Sequence, residues 1–269
     1  MNRYRPGAGG YTILEVVIVL TVSSILFAAA VVGYSAQNRR TQFTQSVQNF
    51  AQDIQDILND VESGFYPSTN NFRCVANPSG GYPTFPSGAA EQGTNTDCIF
   101  LGKAIQFAPA GGSASDIDIY TVVGRRLVSG TREPVTSIDD ARPIGLNQFV
   151  ERKSLISGIE VESVETISGD ALAGFAMVSS SESGDGDISS GLNARASLAT
   201  VPGALHQAGS VFRGDGGGSG VALITNTNIN QANGGIRICL REGGGRGAII
   251  ELATGRSQII VDTKIDQSC

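Results

Sequence analysis

From Tyr11 to Val32 the chain is apolar at nearly every position. The run GGYTILEVVIVLTVSSILFAAAVV opens at Gly9, and Glu15 is its one charged residue. As a helix, Val16–Val32 spans roughly 26 Å, near the lower limit for a bilayer core of about 30 Å. The pattern then changes. Phe43, Val47, Phe50, Ile54, Ile57, Leu58 and Val61 recur at spacings of three and four, one apolar stripe on a 3.6-residue period, with Gln, Asp and Asn on the opposite face. No proline interrupts the chain from Tyr11 until Pro67, and Ser63-Gly64 supplies the stop: glycine fits the left-handed position past a last turn, and proline blocks continuation. The pattern predicts one helix over Thr12–Ser63, about 78 Å long if unbroken, with Gly33 as the point where it can bend.

Beyond Gly64 the period falls to two. Cys98–Leu101 and Lys103–Ala108 read as a hairpin or a strand bent at Gly102, and Ile117–Val123 as a strand. Gly158–Ile167 alternates weakly, with an irregularity at Ser163, and Leu172–Ser179 is a short apolar strand. Val221–Thr225, Gly235–Leu240, Ala248–Leu252 and Ser257–Thr263 follow at short intervals between Gly/Asn-rich turns, the signature of an antiparallel meander. Within it Ile236, Ile238 and Leu240 face one way, and Arg237, Cys239 and Arg241 the other. Phe65–Asn95, Ser180–Gly191 and Gly214–Gly220 are loops by composition.

The 269 residues are ample for a packed domain beyond the helix, and 41% apolar content separates the chain from disordered sequences. The net charge of -6 argues against a bulk electrostatic grip on DNA. The four cysteines, Cys74, Cys98, Cys239 and Cys269, include no C-x-x-C pair, and the single histidine, His206, has no cysteine near it, so zinc is not expected. Four cysteines allow three pairings; the one local in sequence, Cys74 with Cys98 and Cys239 with Cys269, is expected in an exported chain. Asp185-Gly186-Asp187 has calcium-loop flavour but lacks the spacing and closing Glu of a calcium motif. His206 sits in a loop without a nucleophile elbow, so no catalytic constellation and no cofactor are expected.

The residues Gly10-Tyr11-Thr12-Ile13-Leu14-Glu15, preceded by the basic Arg3 and Arg5 and followed by the apolar run, resemble the processing site of type IV prepilins and pseudopilins. Tyr11 stands where that family usually has Phe, and Ile13-Leu14 where it has Leu-Ile; size and apolarity are kept. The resemblance covers about the first fifth of the chain. It implies cleavage between Gly10 and Tyr11 by an inner-membrane prepilin peptidase, with N-methylation of Tyr11. Losing Arg3 and Arg5 would take the charge from -6 to -8. It further implies that Glu15 pairs in assembly with the Tyr11 amine of a neighbouring subunit, because an unpaired carboxylate is costly in an apolar medium. A disulfide that closes a C-terminal loop on the sheet, as Cys239–Cys269 would, also resembles many type IV pilins.

The expected fold is therefore α+β. A long helix, membrane-spanning in its first half, packs on an antiparallel β head. The segments are a leader over 1–10, the membrane or filament-core half over 11–33, the amphipathic half over 34–64 and the head over 65–269. The implied function is structural and not enzymatic: a pilin built into a surface pilus serving adhesion, motility or DNA uptake. Its partners would be the peptidase, other pilin subunits and the inner membrane before assembly, with DNA or a host surface left open. The head would lie outside the cytoplasm. Two alternatives stay open: a minor pseudopilin of a type II secretion or competence system, and a membrane-anchored surface binding protein or enzyme. A secretory signal peptide cut after Ala28–Ala30 also competes, but Glu15 interrupts its apolar region.

Overall fold

The computed structural model describes residues 11–64, 73–77, 81–86, 97–109, 111–128, 134–146, 150–180, 195–203, 205, 234–243, 245–254 and 259–267. The class is α+β, one long N-terminal helix and two antiparallel sheets. The chain divides into two compact units, Met1–Thr44 and Gln45–Cys269, and helix α1 (Ile13–Glu62) carries the backbone from the first into the second. α1 ends where the sequence stops it: Gly64 takes φ +66°, and its N–H donates to the Val61 carbonyl.

The second unit is built on two sheets. The first contains β1 (Cys98–Phe107), β2 (Asp116–Arg125), β3 (Ile144–Gly145), β4 (Glu151–Ser154), β6 (Leu172–Ser180) and β7 (Arg195–Pro202), in the order β3-β2-β1-β6-β7 with β4 also paired to β2. The second contains β5 (Ile159–Thr166), β8 (Ile236–Glu242), β9 (Gly247–Thr254) and β10 (Ile259–Ile265), in the order β10-β9-β8-β5. A short helix α2 (Ile138–Ala141) sits between β2 and β3, capped by the Ser137 hydroxyl. The expected single meander is thus the second sheet, recruited partly from β5, far upstream. One backbone bond ties β5 of the second sheet to the turn before β2 of the first: the Val161 N–H donates to the Ala114 carbonyl at 2.9 Å.

The middle strands of the first sheet, β1, β2 and β6, are covered on both faces. One face receives the stretch of α1 that belongs to this unit: Phe50 meets Phe107 edge-on at 6.5 Å between centroids, and Phe107 meets Phe175 at 5.8 Å. The Phe50, Ile54, Ile57, Leu58 and Val61 stripe is buried throughout. Fully burying each such side chain is worth about 1.5–3 kcal/mol. The other face is filled by Leu101, Ala104, Tyr120, Val122 and Val178 with Ile138 of α2. Two ion pairs fix the helix on its face: Asp60 to Lys103 of β1, and Asp53 to Lys153 of β4 at 2.9 Å.

β1 is one strand and not a hairpin. Its pairing with β2 slips between Phe100 and Gly102. A Cβ at Gly102 would lie 2.0 Å from the Met177 carbonyl oxygen, so the backbones of β1 and β6 approach there as only glycine permits. β5 likewise carries its irregularity between Val161 and Ser163, at the expected place.

Candidate functional site

α1 begins at a defined cap. The Thr12 hydroxyl accepts the backbone N–H of Glu15 at 3.3 Å. Thr12-x-x-Glu15 is thus half of a capping box, a threonine cap serving the third helical residue. Glu15 lies in the first turn, where a negative charge is favoured by the helix dipole. Its carboxylate has no ion-pair or hydrogen-bond partner among the described residues. The sequence pattern carried this capping signal, and reading Glu15 only as an expensive intramembrane acid misses it.

Past the cap the helix is apolar all round and uncovered. Ile13, Leu14, Val19, Leu20, Ile25, Leu26 and Phe27 all have more than half of their surface exposed. Helix α1 is long and apolar enough to cross a membrane. The hydroxyls inside the run suit such a medium: Thr21 donates to the Ile18 carbonyl at 2.8 Å and Ser24 to Leu20 at 2.7 Å, so neither needs water. A helix apolar on every side needs an apolar surrounding, either lipid or other helices.

In the head, Cys74 and Cys98 are joined, with Cα atoms 6.1 Å apart. The bridge lies over a cluster of Val123, Ile144 and Leu146, with Tyr82 and Phe85 against it. Arg142 stacks over the Tyr82 ring at 6.0 Å. Cys239 is also disulfide-bonded; Cys269, its expected partner, lies outside the described residues. So do Gly10 and the leader, His206, the Asp185–Asp187 loop and the expected strand Val221–Thr225.

Two polar arrangements were not foreseen. On the first sheet Arg152 of β4 holds Asp118 of β2 with two bonds, Nε at 2.7 Å and Nη2 at 2.8 Å. Beside them Asp116 accepts from the Ser154 hydroxyl and the Ser113 backbone, and these bonds hold its pKa below the usual value. The hydrogen bonds and charge of Asp118 raise the Arg152 pKa. These are cross-strand ties that secure a wholly polar strand to the sheet. On the second sheet a charge ladder crosses every strand: Glu165 of β5, Arg237 of β8, Glu251 of β9 and Lys264 of β10. The Lys264 hydrogen bond, with help from Arg237 and against burial, lowers the Glu251 pKa. Among the described residues no group of three His, Cys, Asp or Glu side chains is placed to hold a metal ion. No family model, curated protein or solved structure matches this chain.

Proposed function

We propose that the chain is a structural subunit of the type IV pilin class, inserted in the inner membrane through α1 and then built into a surface filament after removal of residues 1–10. One observation carries the reading. The helix starts at Ile13 behind a Thr12 cap, two residues past the Gly10–Tyr11 bond, and its apolar surface is exposed on every side. A chain cut there keeps the whole helix intact and gains a charged amine one turn from Glu15. The amine of a neighbouring subunit is then a partner for the otherwise unpaired carboxylate. The head supports the reading with a bonded cysteine pair, which belongs to an oxidising compartment, and with an α1 stripe docked on a sheet.

Co-expression of the full chain with a prepilin peptidase in an inner membrane tests this. Loss of the first ten residues, blocked by Gly10→Val, is the expected result. An unchanged Met1 terminus, or a new start after Ala30, overturns it.

A further inference from the structure

We infer that β10 is a homotypic docking edge, on which a second copy of this chain adds its own β10 antiparallel and in register about Thr263. Among the described residues β10 pairs with β9 alone and forms an edge of the second sheet. The order Val261-Asp262-Thr263-Lys264-Ile265 reads as its own complement under that pairing. Asp262 falls opposite the second copy's Lys264, Lys264 opposite its Asp262, Val261 opposite its Ile265, and Thr263 opposite its Thr263. Opposite charges, paired aliphatics and paired threonines are the favourable cross-strand combinations, and two-fold symmetry makes each contact twice.

The monomer leaves a need that this pairing meets. Asp262 stands directly opposite Glu251 on β9, a like charge. Glu251 is already compensated by Arg237 and Lys264, whereas Asp262 is exposed and has no ion pair among the described residues. Lysine has three donors, so Lys264 can keep Glu251 and also receive the second copy's Asp262. Val261, Thr263 and Ile265 point to the other face, which continues the buried surface of Ile250 and Leu252, and each keeps part of its surface exposed. An added strand extends that buried face. Charged side chains on an edge strand discourage indiscriminate association; here the charges are spaced to match their own copy. The inference stands apart from the pilin reading. Were both true, β10 would join subunits by two-fold contacts that helical packing of the α1 segments does not make.

The test is site-directed cross-linking of the full chain in detergent micelles, with a short bifunctional maleimide that reacts only with free thiols. Thr263→Cys places two thiols opposite each other, and Ile156→Cys, an exposed loop position, measures chance encounter in the same micelles. Several-fold more covalent dimer from Thr263→Cys is expected. Adding Lys264→Glu, or separately Asp262→Lys, should reduce it to the Ile156→Cys level. Mixing those two chains, or combining both swaps in one chain, should restore it, which a variant that merely misfolds cannot do. Dimer no more abundant than for Ile156→Cys, indifference to the swaps, or failure of the mixture to restore would overturn the inference. Capture of an unrelated protein at Thr263→Cys in place of the dimer would overturn it too.

Discussion

The Thr12 hydroxyl caps the helix by accepting the backbone N–H of Glu15 at 3.3 Å, and the Glu15 carboxylate, in the first turn where the helix dipole favours a negative charge, carries in addition the assembly role proposed for it. The two roles separate by substitution. Glutamine also serves at the third position of a capping box, but it carries no charge. Glu15→Gln should be cut normally after Gly10 and keep its helix content by far-UV circular dichroism, yet yield few or no filaments by electron microscopy. Filaments in wild-type number would show that the charge is dispensable.

The Cys74–Cys98 bridge closes a loop with a sequence separation of 24. Loop-closure entropy puts its contribution at about 3–4 kcal/mol. The double variant Cys74→Ser/Cys98→Ser should lower the unfolding free energy by about that amount in denaturant titration of the micelle-bound chain. A change below about 1 kcal/mol would mean that the surrounding Val123, Ile144 and Leu146 cluster holds the loop without the bond.

Gly174 faces the Ile105 carbonyl oxygen, which a Cβ would approach to 2.2 Å. The obstruction is backbone and not a movable side chain. Gly174→Ala should cost about 1–3 kcal/mol through forced separation of β1 and β6. Gly243→Ala, where a Cβ meets nothing within 4 Å, should stay within about 0.5 kcal/mol. Denaturation midpoints of the two variants, compared at equal slope, decide it.

The charge ladder predicts a pH dependence. The Lys264 hydrogen bond is the largest cause holding the Glu251 pKa below its ordinary 4.5, with Arg237 adding to it and burial opposing. A depressed carboxylate pKa contributes stability above the unfolded value and loses it as pH falls through the folded value. Glu251→Gln should therefore be less stable than the wild type at pH 7, by no more than about 1 kcal/mol for a partly exposed network. The gap should narrow as pH falls and close once it lies beneath both the ordinary and the lowered pKa. A gap that does not change with pH would assign the loss to packing instead.

How much of this was legible follows from the range of each interaction. α1 could be read because its apolar run and its Phe50–Val61 stripe are local, and so could the irregularities at Gly102 and Ser163. β7 was not read: Ala196, Leu198, Ala199, Thr200 and Val201 are all buried, so the strand shows no alternation. β4, Glu-Arg-Lys-Ser, has no apolar residue and reads as a loop; Asp118 and Asp53 make it a strand partner. The division into two sheets was hidden because β5 pairs with β8, more than sixty residues later, and nothing in either strand marks the other. At the candidate site Thr12 and Glu15 sit within one turn, so their relationship was open to sequence reading. The pair Asp60–Lys103 exists only once the helix has docked.

The central claim is that this chain is cut behind Gly10 and assembled through α1. The direct measurement is intact mass and N-terminal sequencing, without reduction, of protein sheared from the cell surface. The account predicts a chain starting at Tyr11, with or without one added methyl group, two disulfides, and filaments in the same fraction. A chain still starting at Met1 and confined to the membrane, or one starting after Ala30, would contradict it.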